Sequence, residues 1–118
     1  MAERNAVITG IGVVSPLGCF PGNFWDNIKA GKSGIARITK FNPDGFDCQI
    51  GGEVREFDVE KHMSVKDARR MGDEYIHYAI GAASLAMNDS GINLNLENPE
   101  RIGVFVGSGI GGIHTMEI

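Results

Sequence analysis

Ala6-Val7-Ile8-Thr9-Gly10-Ile11-Gly12-Val13-Val14 is a near-continuous apolar run rich in β-branched residues. It lacks the polar alternation of a half-exposed strand and predicts one buried on both faces, as at the centre of a parallel sheet. A second run of this kind, Ile102-Gly103-Val104-Phe105-Val106-Gly107, stands near the other end of the chain. Between them lies the strongest helical pattern, Asp73 to Asp89 with Gly91 as its stop, in which Ile76, Ala79, Ile80, Ala83 and Met87 recur at the 3.6-residue period. Its other faces carry Gly81, Ala82, Ser84 and Ala86, so the helix is expected to pack closely on more than one side. The layout is α/β. Two strands alone leave unpaired edges, so the expectation is the beginning of something larger.

Two shorter helices complete the pattern. Asn23 stands as N-cap ahead of Phe24 to Ala30, with Gly31 as the stop. Ser64-Val65-Lys66-Asp67 has a cap followed by an acid three residues on, and starts a helix over Val65 to Met71. From Ser33 to Met63 the chain is broken by turns, most clearly Asn42-Pro43-Asp44-Gly45, with an extended stretch at Cys48 to Val54. This region is expected to wander over the surface.

The 118 residues suit one domain without an internal boundary. With 42% hydrophobic and 22% charged residues, disorder is excluded, and no apolar run approaches the roughly 20 residues of a membrane-spanning helix. Eleven Lys and Arg against 15 Asp and Glu give a charge of −4, which argues against nucleic acid as a general partner. Cys19 and Cys48 are too few for a disulfide framework or a paired-cysteine zinc site, and Met1 to Ala6 carries no apolar signal segment. A cytoplasmic protein with free thiols is expected. His62, His77 and His114 are scattered without ligand spacing, so no metal site is expected.

Gly107-Ser108-Gly109-Ile110-Gly111-Gly112 has the G-x-G-x-x-G spacing of a dinucleotide-binding turn, but the acid some 20 positions on that would complete it falls past Ile118. Gly10-Ile11-Gly12 is a poorer match, with Ser15 where the third Gly belongs. Both are read as Gly-rich turns leaving strands, and no cofactor is assigned. Lys66, Arg69 and Arg70 fall at i, i+3 and i+4 and share one helix face. Lys61 to Arg70 holds four bases and one acid, a local +3. The plainer reading is a solvated helix face; the functional one is a dock for an acidic partner.

Several of these stretches, taken in order, resemble one family. Val7 to Gly18, Phe24-Trp25, Ala30-Gly31-Lys32-Ser33-Gly34-Ile35, Lys66 to Met71, Asp89-Ser90-Gly91 and Arg101 to Gly112 are similar to the opening of β-ketoacyl-[acyl carrier protein] synthases. The Ile110-Gly111-Gly112 ending resembles the type II enzymes. The resemblance implies a thiolase-like fold, layered helix-sheet-helix-sheet-helix, of which residues 1–118 form the first part of the N-terminal half, and a homodimer when the enzyme is complete. It implies a decarboxylative Claisen condensation of fatty acyl and malonyl thioesters, with acyl carrier protein as partner and neither nucleic acid nor membrane. The catalytic Cys and two His would lie beyond Ile118, so no catalytic residue is assigned. By the same resemblance Ile110, with Gly109 and Gly111, lines the acyl pocket, and Lys66, Arg69 and Arg70 receive the carrier protein. The Asp73 to Asp89 helix would be the one packed between the sheets. A polyketide-type ketosynthase, its non-catalytic chain-length partner, or a carrier-binding module without chemistry are the alternatives.

Overall fold

The computed structural model describes residues 5–116 apart from the His114 side chain, so the reading of His114 and most of that of Met1 to Ala6 fall outside the described residues. Its axis is a 17-residue helix, α3 (Glu74–Ser90), preceded by α1 (Pro21–Lys29), a hairpin of β1 (Ile35–Arg37) and β2 (Ile50–Gly52), and a short α2 (Val65–Arg70). A single-turn α4 (Ile113–Met116) closes the described chain.

The helices α2 and α3 follow their sequence signals. The Ser64 hydroxyl accepts the Asp67 amide at 3.1 Å and donates to the Asp67 carboxylate at 2.7 Å, fixing the first turn of α2. Gly91, at φ 64°, ends α3 in the left-handed conformation that a side chain would oppose. At α1 the expected start shifts: Phe20 is the N-cap, Pro21 occupies the first turn, and Asn23 accepts the Phe20 amide at 3.1 Å from inside the helix. Proline suits that position because its missing N–H would have no partner there anyway. Gly31 and Lys32 return their amides to Ile28 and Asn27 and close the other end.

The region read as a surface excursion contains a two-stranded antiparallel sheet, with Ile35 opposite Gly52 and Arg37 opposite Ile50. Its clamp is the buried Glu53 carboxylate, which accepts the amides of Thr39 (2.8 Å) and Lys40 (2.9 Å), the Thr39 hydroxyl (2.8 Å) and Arg55 Nη2 (3.2 Å). The amide donors, Lys40 first, hold its carboxyl down to about 2. Lys40 in turn pairs with Glu74 and reaches the Tyr78 hydroxyl at 3.4 Å, fastening the hairpin to α3.

Both apolar runs depart from expectation. Neither residues 6–14 nor 102–107 form strands; they carry no regular secondary structure and are largely exposed, with Ile8 at 84%, Val104 at 85% and Phe105 at 97%. Among the described residues neither has a strand beside it to take its backbone groups, and an apolar run without a pairing neighbour does not make a strand. The first run does find α3. A Cβ at Gly12 would overlap the carbonyl oxygen of Ala82, and one at Gly10 that of Ala86, so these glycines let backbone rest directly on the helix. The Ile11 amide donates to Asp89 at 2.9 Å on the same side. Around the helix, Phe57 stacks on His62 and meets the edge of Tyr78, with its ring against Gly81. The small residues of α3 thus allow close packing on two sides, as their pattern predicts.

Cys19 is the one buried hydrophobic residue among those described, and none of the large side chains is fully buried. The radius of gyration is 17.5 Å, against about 13.5 Å for a compact domain of this length. These residues do not close a core by themselves.

Candidate functional site

Two features singled out in the sequence meet at the N-terminal end of α3. The first is α2. Its register places Lys66, Arg69 and Arg70 on one face, all three exposed. They are not equivalent. Arg70 Nη2 lies 3.5 Å from the carboxylate of Asp67, whereas no carboxylate among the described residues lies within ion-pair distance of Lys66 or Arg69. The imidazole Nε2 of His77, on α3, donates to the Ala68 carbonyl at 3.1 Å and anchors the back of the basic helix. That carbonyl belongs to the last turn of α2, where it lacks a partner within the helix. The result is a short, fixed, positively charged ledge.

The second is the Gly-rich turn. The Ser108 hydroxyl accepts the Gly111 amide at 3.0 Å, and Gly111 has φ 76°, so the chain reverses there and enters α4. Gly109 and Ile110 form the bend, and Ile110 is 72% exposed. The turn is tied back to α3 through Asp73, the residue before the first turn of that helix: Thr115 donates its hydroxyl to the Asp73 carboxylate. A Cβ at Gly112 would come 2.5 Å from the same carboxylate oxygen. Asp73 lies three residues beyond Arg70, so the α2–α3 connection touches both features.

Asp73 and Thr115 are the residues that sequence reasoning missed. Asp73 had a visible signal, an acid at the start of a strongly periodic helix, but this reads as a cap. Its side chain makes no capping bond and faces the turn instead. Of the two thiols, Cys48 is exposed, and Cys19 is buried and lines a pocket of about 210 Å³ together with Ser15, Asn27, Lys32 and Arg55. No cluster of three or more metal-ligating side chains occurs among the described residues, and no described helix is long and apolar enough to cross a membrane.

The described chain thus lays glycine-containing backbone on a small-residue helix and carries a basic helix and a Gly-rich turn at one end of it. Comparison with solved structures supplies the class. A structure described as the ishigamide ketosynthase/chain length factor aligns over 75% of this chain and 22% of its own, with TM-score 0.61 and 33% identity. A type II PKS acyl-carrier protein in complex with its ketosynthase bound to the hexaketide aligns over 80% and 21%, with TM-score 0.58 and 28% identity. The fold class is that of the ketosynthases. Residues 3–118 match the family described as "Beta-ketoacyl synthase, N-terminal domain", and the chain belongs to that family. The 3-oxoacyl-[acyl-carrier-protein] synthase 2 of Vibrio cholerae serotype O1 is 45% identical over 117 residues, and that of Coxiella burnetii 44%. The protein of the same name from Staphylococcus aureus strain COL is 41% identical over 116 residues. The chain covers 98 to 99% of itself in these alignments and spans 28% of the length of each relative.

Proposed function

We propose that residues 1–118 are the N-terminal portion of a cytoplasmic, homodimeric 3-oxoacyl-[acyl carrier protein] synthase II. The complete enzyme would elongate fatty acyl chains. An acyl group passes from its carrier protein to a Cys thiolate, malonyl-carrier protein loses CO2, and the carbanion so formed attacks the acyl thioester and releases the thiolate. The thiolate and the donors that stabilise the developing oxyanion belong to parts of the synthase outside these residues. This portion contributes the carrier-protein dock, Lys66, Arg69 and Arg70, and a wall of the acyl pocket at Gly109, Ile110 and Gly111. The observation that carries the reading is 41 to 45% identity to proteins of that name over nearly the whole chain. The polyketide-type alternative rests on structural neighbours of 33 and 28% identity and is the weaker of the two.

Carrier proteins of this class are acidic, and the ledge on α2 is complementary to them in charge. Exposed ion pairs contribute about 0.2 to 1 kcal/mol each, so a single change is hard to read. In the complete synthase, Lys66→Glu, Arg69→Glu and Arg70→Glu together are expected to raise KM for acyl-carrier protein about tenfold at low salt and to weaken its salt dependence. The ratio to KM for a small carrier-free thioester rises accordingly. An unchanged KM for the carrier protein returns the ledge to a solvated helix face, and equal loss with both substrates means damage to the fold.

A further inference from the structure

We propose that Asp73 is a positioning residue that holds the Ile110 turn in register with the base of the docking helix, and that it thereby sets acyl-chain preference. The proposal rests on the reading of Ile110 as an acyl-pocket residue. Asp73 is 7% exposed, although a carboxylate in that environment is costly unless donors meet it. It does not cap α3, and no Lys or Arg among the described residues pairs with it. The side-chain donor it has is Thr115, on the far side of the Gly-rich turn. Gly112 lies against the same oxygen, and a Cβ there would push the carboxylate aside. The partial positive charge of the α3 N-terminus favours a carboxylate at this point.

Residues 108–115 are therefore fixed twice, internally by the Ser108–Gly111 bond and externally by the Thr115–Asp73 bond. Ile110 lies between the two ties and is the bulky side chain of the bend. If the outer tie is lost, the inner one still closes the turn, but its orientation against α3 is no longer set. A shift of the bend moves the Ile110 side chain relative to whatever acyl chain lies along it, and a longer chain meets more of that wall. The effect belongs to selectivity between substrates.

The test uses the complete synthase with hexanoyl- and palmitoyl-carrier protein as acyl donors. Thr115→Val removes the hydroxyl at nearly constant volume and is expected to change the palmitoyl-to-hexanoyl ratio of kcat/KM about two- to tenfold, the range of one ordinary hydrogen bond. Thr115→Ser keeps the donor and should restore the parental ratio. Asp73→Asn keeps an acceptor but loses the charge, so a smaller change of the same sign is expected. An unchanged ratio in both Thr115→Val and Asp73→Asn overturns the proposal. Ile110→Phe is the control for the reading beneath it: if Ile110→Phe leaves the ratio unchanged, the acyl-pocket assignment fails. If Ile110→Phe shifts the ratio and the two tie variants do not, the assignment stands and the role of Asp73 falls.

Discussion

Residues 6–14 and residues 102–107 have nearly the same composition, and their surroundings differ. Both are β-branched apolar runs interrupted by glycine. The first rests its glycines on α3 and donates the Ile11 amide to Asp89. The second leaves Val104 and Phe105 almost wholly in solvent. The difference teaches that an apolar run states a need for burial without supplying the partner. The small-residue helix takes the backbone of the first run at Gly10 and Gly12, although Ile8, 84% exposed, is as open to water as Val104; among the described residues the second run meets no such helix at all. An exposed apolar surface of this kind is a docking or aggregation face.

The largest effect should come from asking whether the second run is buried in the complete synthase. Phe105→Ala is expected to destabilise the complete protein by about 3 to 5 kcal/mol, the range for deleting a buried phenylalanine. In the isolated 118-residue chain the same change should leave hydrogen exchange and thermal unfolding as they were, because the ring has little to lose. A large cost in both settings, or in neither, breaks the contrast between the two runs. The isolated chain should also bind a hydrophobic dye and unfold without a sharp transition.

A smaller but local effect tests the first run. Gly12→Ala drives a methyl group into the Ala82 carbonyl, and backbone on both sides of the clash cannot rotate away as a side chain can. The expected loss is about 3 kcal/mol in the complete protein, at the upper end of overpacking costs. Gly103→Ala is the matched change in the second run; the nearest atoms to its Cβ belong to the movable ring of Phe105, and it should cost far less. Equal costs at the two glycines would mean that close approach to α3 is not what distinguishes them.

How far the sequence could be read follows from the same distinction. The helices α2 and α3 were legible because their determinants are local: a serine cap with its acid, a 3.6-residue apolar period and a C-terminal glycine lie within one stretch of chain. The sheet was not. Ile35 to Arg37 carries no strand pattern of its own, and the Glu53 carboxylate that gathers the amides of Thr39 and Lys40 beside it lies 14 and 13 residues further along the chain. At the candidate site the basic face could be counted directly, and the Gly-rich turn stood out by composition. Their meeting through Asp73 and Thr115 could not be seen, since 42 positions separate the two residues and each alone reads as an ordinary helix-end residue.

The smallest effect at neutral pH, and the most specific, concerns the hairpin, which unlike either apolar run is held by polar bonds within itself. Glu53 titrates at about 2 instead of 4.5, because the amides of Lys40 and Thr39 bond its charged form. A carboxyl whose folded pKa is depressed adds stability that is complete above its unfolded value and fades as pH falls toward the folded one. The stabilisation is therefore whole above about pH 4.5 and disappears between there and about pH 2. In the complete synthase, the Glu53 carboxyl followed by carbon-13 NMR should titrate near the bottom of that window, and the Thr39 and Lys40 amides should lose protection together with it. Glu53→Gln removes the charge at every pH. It should leave those amides less protected at neutral pH and abolish their acid-dependent change. An ordinary glutamate titration, with amide protection indifferent to the substitution, would mean that the hairpin is held by its strand pairing, and the contrast between polar clamp and apolar run would lose its third term.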